Sequence, residues 1–163
     1  MIKQIVPQGI CLECRGCCRF REAESAWTPS LLSEEVLAFQ KLGIPKTFYS
    51  LEKKKILPVW NEKSEMYLCP FVQEDTYHCQ IYSSRPLECA LYPFLLTLRG
   101  KKIFLSADLH CPYLEEQGKS PQLLEHAKDL QSFFSSNQGR KILEENHHLV
   151  QPYEDVLDMV ELE

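Results

Sequence analysis

The sequence predicts an α+β fold: cysteine-rich metal-binding loops and a small antiparallel sheet, with helices that are mostly C-terminal. Three observations carry this reading. Eight cysteines lie between residues 11 and 111, four of them within one eight-residue stretch. Two apolar runs, 94–98 and 103–105, flank Arg99-Gly100-Lys101-Lys102, which is the clearest hairpin signal in the chain. Beyond Pro112, residues Leu123, Leu124, Ala127, Leu130, Phe133 and Phe134 recur at helical spacing.

In chain order, residues 2–6 are expected to form a short strand leading into the first cysteines. Thr28-Pro29 has the form of an N-cap followed by proline at the first helical position. Ser33, ahead of Glu34 and Glu35, opens a helix expected to run to about Leu42 and to end at Gly43. Leu32, Val36 and Phe39, with Leu37 beside them, give that helix one buried face. Strand character at 56–57 and 66–68 is separated by the turn-like Asn61-Glu62-Lys63-Ser64. Pro86 suits the first turn of a helix, with Arg85 at its mouth between Cys79 and Cys89. Ser120-Pro121 caps the C-terminal helical stripe, and a further helix is expected over 140–148. The tail, 154–163, mixes acids with Val156, Leu157, Met159, Val160 and Leu162 and is expected to dock as a helix. A chain of 163 residues suits a single domain over 1–163. Within it, 9–112 form a cysteine-cluster metal-binding region and 113–163 a helical C-terminal extension.

Composition narrows the function classes. The formal net charge is −5, with Lys and Arg scattered, so no nucleic-acid footprint is expected. The only basic run, Lys53-Lys54-Lys55, reads as a solvated surface. No apolar stretch approaches the roughly 20 residues that span a bilayer. The N-terminal residues are too few and too polar for an export signal, so the expectation is a cytoplasmic protein with reduced thiols.

The cysteines are Cys11, Cys14, Cys17, Cys18, Cys69, Cys79, Cys89 and Cys111. Disulfides use the first cluster poorly, because bridges inside it close almost no loop. Buried-hydrophobe roles fit poorly too, since Glu13, Arg19 and Arg21 flank the cluster. Metal ligation explains the crowding directly: a C-x2-C turn lets two thiolates converge on one ion. Gly16 lets the chain fold tightly before the third and fourth sulfurs. Adjacent side chains point apart, so Cys17 and Cys18 are expected to serve different centres, or one to bridge. The working partition groups Cys11, Cys14 and Cys17 with one of Cys69 or Cys111. Cys18, Cys79 and Cys89 take the other, giving one or two centres overall. Zinc, iron and an iron–sulfur cluster all remain open. C-x2-C-x2-C with remote Cys69-Pro70 and Cys111-Pro112 has ferredoxin-like spacing, and paired C-x2-C elements are equally normal for zinc.

The run Cys11-x2-Cys14-x2-Cys17-Cys18, then Cys69-Pro70-Phe71, then Cys79-x-Ile81-Tyr82-x2-Arg85-Pro86-x2-Cys89-x2-Tyr92-Pro93, resembles the YkgJ-type cysteine-cluster family of zinc- or iron-chelating proteins. The resemblance covers roughly residues 9–112 and implies metal ions as the binding partner, without assigning a reaction. The flagellin lysine methylase is similar in its cysteine motifs. It implies an alternative, an iron–sulfur-dependent protein-modifying enzyme, and a metal delivery or sensing protein is a third reading.

Outside the cysteines, Arg85 is the strongest candidate, for charge compensation at the thiolates or for a substrate contact. His78 and His110 each precede a cysteine, and adjacency argues against both neighbours binding one ion. Tyr82 and Tyr92 are candidates for hydrogen bonds to sulfur, with core packing the competing role. No phosphate-binding loop, dinucleotide fingerprint, nucleophile elbow or H-E-x-x-H motif occurs.

Overall fold

The structure, a computed structural model, describes residues 2–14, 16–118 and 120–162. The architecture is α+β and divides into two compact units, Gln8–Cys89 and the residues on either side of it.

The Gln8–Cys89 unit opens with helix α1 (Gln8–Cys14) and a single 3-10 turn, Gly16–Cys18. The first cysteines therefore stand on a helix rather than in the expected loop. Their i, i+3 spacing, with Leu12 and Glu13 between, suits one helical turn. Strands β1 (Arg19–Phe20), β4 (Val59–Asn61) and β5 (Met66–Leu68) form an antiparallel sheet in the order β1-β5-β4. Its register pairs Arg19 with Leu68 and Trp60 with Tyr67. Strands β2 (Tyr49–Ser50) and β3 (Lys55–Ile56) make a separate ribbon.

Helix α2 (Ser33–Lys41) keeps the expected extent, but its cap is Leu32, whose N–H donates to the Glu35 carboxylate at 2.8 Å. The expected helix start at Thr28-Pro29 is not one. Thr28 Oγ1 donates to the Ser25 carbonyl at 2.8 Å, so its hydroxyl closes a turn instead of capping a helix. The core gathers Phe20, Leu31, Val36, Phe39, Tyr49, Ile56, Cys69 and Phe71. Edge-on ring contacts of 5.4–5.7 Å join Phe71 to Phe39 and Phe48. Helix α3 (Leu87–Leu91) follows Pro86 as expected and carries Cys89.

In the other unit, β6 (Phe94–Arg99) and β7 (Lys102–Asp108) form the expected hairpin, with Gly100 at φ +63° in its turn. Helices α4 (Pro112–Gln117), α5 (Pro121–Ser135) and α6 (Asn137–Glu145) follow, and α5 packs on α6 and the last strand. Ser120 caps α5 by accepting from Leu123 N–H at 3.3 Å. Helix α6 starts and stops three residues before the expected range of 140–148, because Ser136 caps it by accepting from Gly139 N–H at 3.2 Å.

Two further local expectations are overturned. The tail is not a helix but strand β8 (Val156–Leu162), antiparallel to β7, with a register shift at Leu105/Ser106. Pairing satisfies the backbone along the second edge of β7, and Val156 and Val160 suit a pleated surface. Residues 2–6 form no strand. Ile2, Ile5 and Val6 lack the period of two that would give them a common face.

In this unit the His126 ring lies 5.6 Å from Phe94, and its Nε2 is buried without an acceptor among the described residues. Burial holds its pKa below the ordinary 6.5, Lys3 adding to the effect and Asp129 opposing it. The unfolded imidazole therefore takes up its proton first as pH falls. Stability is full above that value and declines below it. Urea midpoints of wild type and His126→Phe at about pH 7.5 and about pH 5.5 are expected to show wild type losing stability relative to the variant as pH falls, since the buried carboxyls Glu35 and Glu88 titrate alike in both proteins. The difference is expected to stay under about 1 kcal/mol, since the ring is only partly buried.

Candidate metal centre

Two segments of the Gln8–Cys89 unit have the same local design. In Cys69-Pro70-Phe71-Val72, the Cys69 carbonyl accepts from Val72 N–H at 3.1 Å, and the Cys69 sulfur accepts from Phe71 N–H. In Cys79-Gln80-Ile81-Tyr82, the Cys79 carbonyl accepts from Tyr82 N–H at 3.2 Å, and the Cys79 sulfur accepts from Ile81 N–H. The two turns are joined by an antiparallel bridge between Val72 and Cys79, with Gln80 N–H donating to Phe71 at 2.8 Å and Gln73 N–H to His78 at 3.0 Å. Backbone N–H groups aimed at sulfur favour the thiolate and orient it for a metal.

Cys17 and Cys89 complete a group. Coulombic repulsion couples every pair among Cys17, Cys69, Cys79 and Cys89. Burial pushes the Cys69 thiol up to about 12, and Cys79 and Cys17 push in the same direction. Cys89 is raised well above the ordinary thiol, first by burial and then by the other sulfurs and Glu88. Cys89 keeps some accessible surface as a residue, while its sulfur sits among dense, unhydrated neighbours. Cys79 is raised by burial, and the Arg85 guanidinium pulls it back down.

Soft donors that penalise one another's ionisation fit a cation placed among them, whose attraction for each thiolate outweighs their mutual repulsion. Among the described residues, no three or more His, Cys, Asp or Glu side chains converge closely enough to hold an ion as they stand. The mutual repulsion of Cys17, Cys69, Cys79 and Cys89 marks them as neighbours. This repulsion joins Cys17 to Cys79 and Cys89, which the expected partition places in separate centres.

The remaining candidates are placed as follows. Cys11 and Cys14 stand one turn apart on α1, and a Cβ on Gly16 would meet the Cys14 sulfur at 3.3 Å. Cys18 packs against the core, and its carbonyl accepts from Cys69 N–H at 3.0 Å. Cys111 lies in the other unit, buried at the N-cap of α4. Arg85 lies over the Tyr82 ring, 4.1 Å from its centre, so Tyr82 supports the cation. Arg19, beside Cys18, lies 5.2 Å over Tyr77, and its Nε is buried without an acceptor among the described residues. Two cations fixed on tyrosine rings thus accompany the cysteines.

His78 is exposed; its backbone N–H donates to Thr76 Oγ1 at 3.3 Å and its carbonyl accepts from Gln73 N–H at 3.0 Å. His110 is exposed and bonds Asp108 through Nδ1 at 3.0 Å, while Tyr92 donates its hydroxyl to the same carboxyl group at 2.7 Å.

Sequence reasoning missed Glu35 and Glu88. Glu88, adjacent to Cys89, is buried and accepts from Ser30 N–H. Burial raises its carboxyl to about 7, against the pull of the Ser30 backbone and Lys55. Glu35 is raised by burial as well and accepts from Leu32 N–H and Leu87 N–H. The capping pattern ahead of α2 signalled the first of these bonds, but nothing in the sequence signalled the distant partners.

No helix among the described residues is long and apolar enough to cross a membrane. A family model, "CxxCxxCC: Putative zinc- or iron-chelating domain", matches residues 10–112. No curated protein and no solved structure matches the chain.

Proposed function

The chain belongs to the CxxCxxCC family of zinc- or iron-chelating domains, and on that premise we propose that Cys17, Cys69, Cys79 and Cys89 bind one zinc or iron ion as a tetrathiolate centre. The observation that carries the reading is the coupling of every sulfur pair in that set. When bound, the ion supplies the positive charge that lets four neighbouring thiols ionise together. The chain's own contribution is orientation and charge. The paired turns aim Cys69 and Cys79 through backbone N–H groups, and Arg85 offsets part of the surplus negative charge at Cys79. The free thiols of Cys14, Cys18, Cys69, Cys79 and Cys89 suit a reducing, cytoplasmic setting.

Anaerobic purification, elemental analysis and a visible spectrum test the reading. A colourless protein with one zinc per chain, or iron without labile sulfide, supports a mononuclear centre. Iron with labile sulfide and broad visible absorption replaces it with an iron–sulfur cluster, and brings the protein-modifying alternative forward. Metal that a chelator removes without unfolding the chain favours delivery or sensing. Protein that holds neither metal under these conditions overturns the proposal.

Arg85→Gln is expected to weaken metal binding by about tenfold, the usual scale for losing a group that supports a ligand. Competition with a chromophoric chelator measures it. An unchanged affinity would remove Arg85 from the centre.

A further inference from the structure

We propose that Glu35 is a positioning residue for the metal centre, holding the start of α3 so that the Cys89 sulfur stands among its partners. The inference rests on the tetrathiolate reading. Helix α3 has only five residues, too few to be stable without outside support. Its first N–H groups lack intrahelical acceptors. Leu87 N–H, two residues before Cys89, donates to Glu35 Oε1 at 2.6 Å. The other oxygen, Oε2, accepts from Leu32 N–H at 2.8 Å. One carboxylate thus caps α2 and grips α3, although Glu35 and Leu87 stand 52 residues apart in sequence.

A second carboxylate runs the opposite way, Glu88 of α3 accepting from Ser30 N–H. The segment 30–35 and the Cys89 helix are therefore stitched by two long-range bonds, one from each side. Cys69 and Cys79 need no such device, because their own turns orient them. Cys89 owes its place to these bonds.

A carboxylate can accept through both oxygens, whereas a glutamine has only one. Glu35→Gln must release either Leu32 N–H or Leu87 N–H while keeping the side chain's size. The experiment is alkylation of the zinc-loaded full chain with iodoacetamide, resolved by site with mass spectrometry. Zinc affinity is measured alongside by chelator competition, and Glu34→Gln, an exposed neighbour, serves as the control.

Wild type and Glu34→Gln are expected to protect Cys17, Cys69, Cys79 and Cys89. In Glu35→Gln, Cys89 is expected to react about tenfold faster while Cys69 and Cys79 stay protected, and zinc affinity to fall about tenfold. Leu87→Pro is the second variant. It deletes the N–H that Glu35 accepts, places proline where a helix tolerates it, and leaves the α2 cap in place. It is expected to reproduce the Cys89-selective loss. A Cys89 rate unchanged in both variants overturns the proposal. So does an equal rise at all four sites, which marks a general loss of stability. A wild type that gains no protection from zinc overturns the tetrathiolate reading itself, a result distinct from either.

Discussion

Cys89→Ser is expected to lower zinc or iron affinity by more than about a hundredfold, beyond the scale of losing a supporting group. Cys89 is coupled to each of the other three sulfurs, and burial raises its thiol well above the ordinary range. Serine offers a hard, neutral oxygen that does not ionise near neutral pH, so a soft thiolate ligand is lost without replacement. Metal content after dialysis against a graded chelator measures the effect. Cys14→Ser is the informative comparison. Cys14 is exposed on α1 and lies outside the coupled set, so its loss is expected to change affinity little. Equal losses in the two variants would show that the four-sulfur set is drawn wrongly.

Gly139→Ala is expected to be strongly destabilising. A Cβ at residue 139 would stand 2.1 Å from the Phe133 carbonyl oxygen and 2.5 Å from the Phe134 Cα. Both obstacles are backbone at the end of α5, so no side-chain rotation relieves the contact. Ser136 fixes the same corner, donating its hydroxyl to Phe133 O at 2.6 Å while accepting from Gly139 N–H. Alanine is ordinarily the better helix former by about 1 kcal/mol. Here the overlap outweighs that gain, and a net loss of about 3 kcal/mol is expected, the upper end for overpacking. Urea midpoints of the two proteins decide it. A variant as stable as wild type would mean that α5 and α6 meet less closely than described.

Legibility in the sequence followed the range of the interactions. The β6–β7 hairpin and α5 were readable because Gly100 and the Ser120-Pro121 cap are local signals that agree with the apolar pattern around them. The tail was misread because Val156 to Leu162 forms a strand only by virtue of β7, more than forty residues earlier. Helix α1 was hidden by its cysteines, which drew attention to ligation rather than to backbone. At the candidate site, residue type was enough to single out the sulfurs and Arg85. The proposed grouping of Cys17 with Cys79 and Cys89, and the hydrogen bonds of Glu35 and Glu88, depend on pairs far apart in the chain, which local spacing does not encode.

The matched turns at 69–82 have a consequence for the order of events in metal uptake. On the tetrathiolate reading, half of the ligand set is written into one short, contiguous stretch that carries its own network of hydrogen bonds. The other half, Cys17 and Cys89, arrives from opposite ends of the unit. Capture and retention then become separate properties. On that reading an ion is first taken up by the contiguous pair, and the distant pair sets how long it stays. Substitutions in the two halves would divide accordingly, those in 69–82 slowing association and those at Cys17 or Cys89 speeding release.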